Sequence, residues 1–391
     1  MENKKVIISG IGAISSWGIG IEALRDGLLK GTQEMVRLDN KYIQSCNVKL
    51  AFSNSKLPNS CLDILVDCIN EALQMAKFPE TNKDTALVIG TGAGRIELLE
   101  EYIFDDRKLS FSDLYNEKGN LSHFLAKKYG ITSLVSCIST GCSSSNYAIA
   151  YAKTLIQLGK CKRVICCGVE VISTIVINCF NKMNGIDPKG IKPFDKNRSG
   201  STAGIGAGVL IIETEAEAIK RNKVPLAELG GFGYSCDSFN IIAPEPNGKQ
   251  AIRAMKTAMN ESQISSDEIA AIFAHGTGTK LNDVFEASSI KAVFGDCYLD
   301  IPIIGMKGSV GHTGGASNIL AACAAILAFQ ENLAFRTPGT VHIDKDCELN
   351  ITLCPQPINK NAIMINGFAF GGNNASIILK RYVNENTNIN Y

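Results

Sequence analysis

The stretch Val135-Ser136-Cys137-Ile138-Ser139-Thr140-Gly141-Cys142-Ser143-Ser144-Ser145-Asn146 decides how the rest of the chain is read. Leu134 to Ile138 is apolar enough for a strand. Beyond the glycine, Ala148, Ile149, Ala152, Leu155 and Ile156 recur at helical spacing, and Gly159 supplies a stop. Cys142 is therefore expected at a strand-to-helix turn, close to unpaired backbone N–H groups. Those groups and the helix dipole favour a thiolate. The competing reading is a small buried apolar cysteine, one of 14 in the chain. Location alone leaves both open.

Working outward, 391 residues are enough for two or three domains and a sizeable core. The composition, 45% hydrophobic and 20% charged with a formal net charge of +1, is that of an ordinary water-soluble chain. That balance gives no support for nucleic acid or an anionic membrane as the main partner. No run of apolar residues is long enough for a membrane span. Met1 to Ile14 briefly resembles a leader, but glycines interrupt its apolar run and no small-residue cleavage pattern follows, so Lys5 to Ser9 reads as a first strand. The cysteines are scattered, no CxxC pair or HxxxH spacing occurs, and there are 4 histidines, so no metal site is expected. Reduced thiols in the cytosol are the simplest account, and the chain reads as cytoplasmic.

The opening Ser9-Gly10-Ile11-Gly12-Ala13 superficially suggests a dinucleotide fingerprint, but the third glycine and the later acidic residue are missing. Helical patterns follow at Ile21–Leu29 and Cys61–Ala76, with an irregular Leu38–Pro58 between them. Thr85–Ile89 reads as a buried strand ending in Gly90-Thr91-Gly92-Ala93-Gly94, and Asp105–Asn120 as an excursion over the surface. A helix at Ser122–Lys128, strands at Arg163–Val171 and Gly208–Glu213, the loop Lys192-Pro193-Phe194-Asp195 and a charged helix at Ala216–Arg221 complete the first half. The second half repeats the alternation: helix Gln250–Asn260, strand Ile269–Ala274, helix Val284–Phe294, strand Pro302–Gly305, then helix Ala316–Phe329, apolar on almost every side. Strands Ala362–Asn366 and Ala375–Leu379 flank the turn Gly367–Asn374.

Alternating strands and helices predict an α/β fold with mainly parallel sheets. The layout strand, glycine turn with a reactive residue, buried helix occurs twice, once with Cys142 and once with His312, so two similar halves are expected. The boundary falls near 214–225; we place it between an N-terminal half, 1–218, with Cys142, and a C-terminal half, 219–391, with His275 and His312. These three side chains sit at strand ends, where open α/β sheets place their ligands, and each is flanked by glycine. A lone histidine in apolar surroundings is usually structural; two of four, each following a buried strand, point to chemistry instead. Lys307, five residues before His312, is near enough to influence its charge.

With these motifs on the page, the chain resembles the β-ketoacyl synthases of the thiolase superfamily. The resemblance rests on Ser139–Ser144, on Ala274-His275-Gly276-Thr277-Gly278-Thr279 with Asp283 and Glu286, on Lys307–His312, and on Asn366–Asn374. Lys192–Gly208 is similar to a further family segment. The wording around Cys142 and His275 resembles most closely the ketosynthase subunits of type II polyketide systems. Housekeeping fatty-acid synthases carry a different phrase around the cysteine, initiating synthases use Cys-His-Asn, and degradative thiolases add a cysteine absent from Ala369–Asn374.

The resemblance implies a thiolase-like fold, two duplicated βαβαβ-type halves in a layered α-β-α-β-α body. It implies that Cys142 accepts an acyl chain from acyl carrier protein and that His275 and His312 serve the decarboxylation of malonyl-carrier protein, with Lys307 biasing the site. Cys142, Phe370 and Gly371 would supply the oxyanion hole and gate, Thr277 and Thr279 would contact the phosphopantetheine arm, and Asp283 and Glu286 would give structural support. No metal or diffusible cofactor is implied. A chain-length-factor paralogue is the implied partner, forming a heterodimer, with Arg163–Val171 pairing across the interface. The alternatives are a homodimeric fatty-acid elongation synthase and a non-catalytic chain-length-factor-like subunit. Ala321 stands where family members carry a glutamate, and Gly204-Ile205-Gly206-Ala207-Gly208 where they carry Gly-Asp-Gly-Ala-Gly. Leu38–Pro58 is shorter than the family leads one to expect.

Overall fold

The computed structural model describes residues 5–38, 41–43, 50–78, 84–104, 112 and 119–384. Ten strands organise it: β1 Val6–Ser15, β2 Thr85–Gly90, β3 Val135–Ile138, β4 Arg163–Glu170, β5 Gly206–Thr214, β6 Ala227–Cys236, β7 Ile269–Phe273, β8 Ile303–Ile304, β9 Ala362–Phe368 and β10 Asn373–Lys380. With the short strand Gly18–Ile19 they form one eleven-stranded sheet, ordered β8-β7-β9-β10-β6-β1-β5-β4-β2-β3. In each half the order is first, fifth, fourth, second, third, so the topology repeats strand for strand. The halves meet where Ile7 and Ile8 of β1 pair with Glu228 and Ala227 of β6.

The sheet is mixed, not mainly parallel. β4 pairs with β2 and β2 with β3 in parallel, but β5 lies antiparallel to both β1 and β4. The second half repeats this, with β10 antiparallel to β6 and β9. The last strand of each half returns after a connection that reverses its direction, which periodicity alone does not reveal. β1 also runs past the predicted Ser9 to Ser15. Its glycines serve packing, since a Cβ on Gly12 would strike the backbone of Cys68 in the helix Cys61–Met75.

Five layers result. The helices α1 Ser144–Gln157 and α2 Ser317–Glu331 lie between the two half-sheets in one apolar cluster with Ile8, Val164, Ile365 and Ile377. In α2 every residue from Ser317 to Phe329 is buried, and five alanines keep it thin enough to contact both sheets. The helix Cys61–Met75 covers the outer face of the first half-sheet; Lys249–Ser262 and Lys280–Phe294 cover the second.

Leu50–Phe52 inside the supposedly irregular segment is a strand paired with Met35–Arg37. The surface excursion expected over Asp105–Asn120 lies almost wholly outside the described residues, as does part of Leu38–Pro58. The expected interface strand is corrected as well: β4 is hydrogen-bonded on both sides, by β2 and β5, and is fully buried. Among the described residues the end strands of the sheet are β8 and β3, and Val135 of β3 is 40% exposed. Among the described residues no helix is long and apolar enough to cross a membrane.

Candidate active site

Cys142 sits in the 3-10 turn Gly141–Ser143 that joins β3 to α1. Gly141 takes φ 64°, the left-handed conformation that opens the turn. The turn is braced from below: Ser144 Oγ donates to the Gly141 carbonyl at 2.6 Å, and Asn318 Nδ2 of α2 donates to the Cys142 carbonyl at 3.2 Å. Burial pushes the Cys142 thiol up to about 11, with Lys307 opposing and Glu170 reinforcing. Desolvation therefore works against the thiolate that the helix terminus favours.

His275 lies two residues beyond the end of β7 and is buried. Two carboxylates on Lys280–Phe294 shape its loop. Glu286 accepts from the amides of His275 and Gly276 at 2.7 and 2.8 Å. Asp283 accepts from Gly278 at 3.2 Å and from Phe194 at 2.7 Å. The second bond holds Phe194, of the predicted Lys192–Asp195 loop, at φ 63°, a conformation uncommon for a non-glycine residue. Burial pushes Glu286 up, the two amides opposing it, and brings Asp283 up to about 6.

Lys307 is buried and approaches His275, not His312. Its Nζ donates to the His275 carbonyl at 2.5 Å and lies 3.2 Å from His275 Nδ1. Burial brings Lys307 down to about 8, against Glu286, Cys142 and Asp283, which favour its ammonium form. Opposite an ammonium, which only donates, His275 Nδ1 accepts and the ring proton sits on Nε2. His312 reaches the same state by another route. Its Nδ1 accepts from the Gly314 amide at 3.1 Å and lies 3.2 Å from Ser317 Oγ. Burial, then Lys307, holds His312 down at about 3, and burial, Lys307 and His312 hold His275 well below its ordinary value. Two neutral imidazoles therefore stand edge to face, centroids 5.8 Å apart, each with an Nε2–H to offer.

Cys142, His275, His312, Thr277, Thr279 and Phe370 all line one cavity of about 450 Å³. Thr277 and Thr279 share a hydrogen bond of 2.9 Å on its wall. A second cavity, about 270 Å³, runs from Cys142 and His312 between Ile96, Val176, Ile177 and Ile186. The Gly371 amide donates to the Ile241 carbonyl at 2.7 Å, so it is not an oxyanion donor; with φ 82°, Gly371 serves the turn. Ala321 lies in the apolar core around α2, and the carboxylates acting on Lys307 are Glu286 and Asp283.

Three residues of this region escaped the sequence reading. Glu170 ends β4 in the wall of the smaller cavity and accepts from Gly92 at 2.8 Å, Ala93 at 3.1 Å and Gly315 at 2.7 Å. A single acid closing an apolar strand was its signal. Ser317 and Phe180 had none, because their contacts are with residues distant in sequence or across a turn. Among the described residues no three His, Cys, Asp or Glu side chains are grouped to hold a metal ion.

Residues 49–218 match the β-ketoacyl synthase N-terminal domain and residues 226–343 its C-terminal domain. The 3-oxoacyl-[acyl-carrier-protein] synthase 2 of Synechocystis is 30% identical, covering 98% of this chain and 99% of its own. The chain belongs to the β-ketoacyl synthase family. It is accordingly an acyltransferase, a carbon–carbon bond-forming condensing enzyme with a thiolase-like fold. Among solved structures, the ishigamide ketosynthase/chain length factor superposes with a TM-score of 0.88 at 26% identity, covering 97% of this chain and 100% of that one. The ketosynthase ApeO of Xenorhabdus doucetiae, solved in complex with its chain length factor, gives 0.83 at 26% identity, with 97% and 98% covered.

Proposed function

We propose that this β-ketoacyl synthase is the ketosynthase of a type II polyketide system, acting on acyl carrier protein beside a chain-length-factor paralogue. The observation that carries the reaction is the pair of neutral imidazoles beside Cys142. Cys142 sulfur bonds to the carbonyl carbon of an acyl-carrier thioester, the carrier thiol departs, and the proton of Cys142 leaves with it. The amides of Cys142 and Phe370 take the oxyanion. Malonyl-carrier protein then enters past Thr277 and Thr279, which contact its phosphopantetheine arm. As carbon dioxide leaves, the electron pair moves onto the thioester oxygen, where the Nε2–H groups of His275 and His312 donate. The resulting enolate carbon attacks the acyl-cysteine; the C–S bond breaks, a C–C bond forms and Cys142 is released. Histidines held neutral suit this step, because imidazolium would protonate the carbanion. Asp283 and Glu286 support it by shaping the His275 loop, and Lys307 by fixing its tautomer.

The polyketide assignment rests on the wording around Cys142 and His275 and on the likeness to two ketosynthases solved with chain length factors. The heterodimer would form along β3, the edge strand that leads into the Cys142 turn. A homodimeric elongation synthase is favoured instead by the 30% identity to a 3-oxoacyl synthase 2. Radiolabelled malonyl-carrier protein, with and without the co-expressed paralogue, tests both. Release of labelled carbon dioxide and an acyl mass on Cys142 only in the complex supports the proposal. Full activity from a homodimer selects the alternative, and no acyl mass on Cys142 in either form removes both. A cytoplasmic location accords with the free cysteines of the described residues.

A further inference from the structure

Two aromatic rings stand where the cavities meet. The cavities share five lining residues, Cys142, Phe180, Ser201, His312 and Phe370. Cys142 and His312 are reactive groups; Phe180 and Phe370 are stacked on each other, centroids 5.5 Å apart and planes inclined by 22°. The rings come from opposite halves of the chain, Phe180 from the helix Thr174–Lys182 and Phe370 from the turn between β9 and β10. Phe370 is 41% exposed, so the core does not immobilise it. The next two residues, Gly371 and Gly372, have φ of 82° and 78°, and the turn is built on glycine backbone.

We propose that Phe180 is a positioning residue that latches the Phe370 ring across the neck between the cavities, sealing an acyl chain on Cys142 from the entrance until the second substrate arrives. This rests on the reading of Cys142 as acyl acceptor and Phe370 as gate. The smaller cavity has an aliphatic side formed by Ile96, Val176, Ile177 and Ile186, which holds an acyl tail but offers its thioester no protection on the entrance side. A stacked pair of rings shifts the gate toward the closed position about 2- to 12-fold. The latch holds back hydrolysis: water oxygen bonds to the acyl carbonyl carbon, the C–S bond breaks, and the Cys142 thiol and a free carboxylic acid result.

The test uses the full chain, with its partner subunit if the two co-purify, acylated from octanoyl-carrier protein. The donor is removed and loss of the octanoyl mass from Cys142 is followed without malonyl-carrier protein. Phe180→Ala is expected to lose the group about 2- to 12-fold faster than the wild type. Phe180→Leu, which keeps apolar bulk without a ring, should follow it, and Phe180→Tyr should behave as the wild type. Phe370→Ala should also be faster, and the double variant Phe180→Ala/Phe370→Ala no faster than Phe370→Ala alone. Additive effects in the double variant, or a wild-type rate for Phe180→Ala while Phe370→Ala is fast, would overturn the latch and leave the gate standing. A wild-type rate for Phe370→Ala would remove the gate, and the latch with it. Failure of Cys142 to take the octanoyl group would sink the reading of the nucleophile itself.

Discussion

The two halves share one strand order, and the same two loops of each reach the active site, yet they carry opposite chemistry. After the second strand, the first half has Thr91-Gly92-Ala93-Gly94 and the second has His275-Gly276-Thr277-Gly278. After the third strand, the first half has Cys142 and the second His312. In the first half burial holds a thiol protonated, and the glycine loop is tied down by Glu170. In the second half burial and Lys307 hold two histidines unprotonated. One physical cause, desolvation, thus disfavours the charged form on both sides, the thiolate of the proposed nucleophile and the imidazolium of the proposed donors. The fold supplies equivalent places, and the side chains divide the labour.

If the division is real, the two half-reactions separate by mutation. Cys142→Ala should lower product formation by about a thousandfold or more while malonyl decarboxylation persists, as measured by carbon dioxide release. Retained condensation would dissolve the distinction between the halves. His275→Ala or His312→Ala should lower decarboxylation by about 100- to 1000-fold and leave an acyl mass on Cys142. A variant that loses both would indicate one indivisible unit.

Glu286→Gln probes the His275 side more finely. Its amide nitrogen faces a backbone N–H, so about a tenfold loss of decarboxylation is expected, with acylation of Cys142 within twofold of wild type. The pH dependence of stability probes His312. Its folded pKa of about 3 lies below the ordinary value of 6.5, so between these the unfolded chain binds the extra proton. Its stabilising contribution is complete above pH 6.5 and is lost as pH falls toward 3. From pH 7 to pH 5 the wild type should lose about 1–2 kcal/mol more than His312→Asn, read from urea unfolding. Equal losses would mean that His312 is not held neutral. Ser317→Ala should have the smallest effect, a two- to fivefold fall in decarboxylation, because the Gly314 amide still fixes the tautomer.

Much was legible in the sequence because the residues proposed to react are also the residues that interrupt its periodicity. Cys142, His275 and His312 each follow an apolar strand and lie among glycines, and the duplicated layout is a pattern of spacing. Strand direction and edge were not legible. Whether Arg163–Glu170 lies inside the sheet or on its rim depends on where Gly206–Thr214 returns, and both positions accept the same apolar side chains.

The sequence by itself determined the α/β class, the duplication and which side chains stand as candidate reactive groups, since each is written in local spacing and residue type. Only the tertiary structure decided their charge states and supports. Lys307 meets His275 across 32 residues, Glu170 meets Gly315 across 145, and Asn318 meets Cys142 across 176. The physical reason is desolvation and hydrogen bonding, which depend on what surrounds a side chain in space. The helix terminus at Cys142 favours a thiolate; the desolvation of its surroundings works the other way.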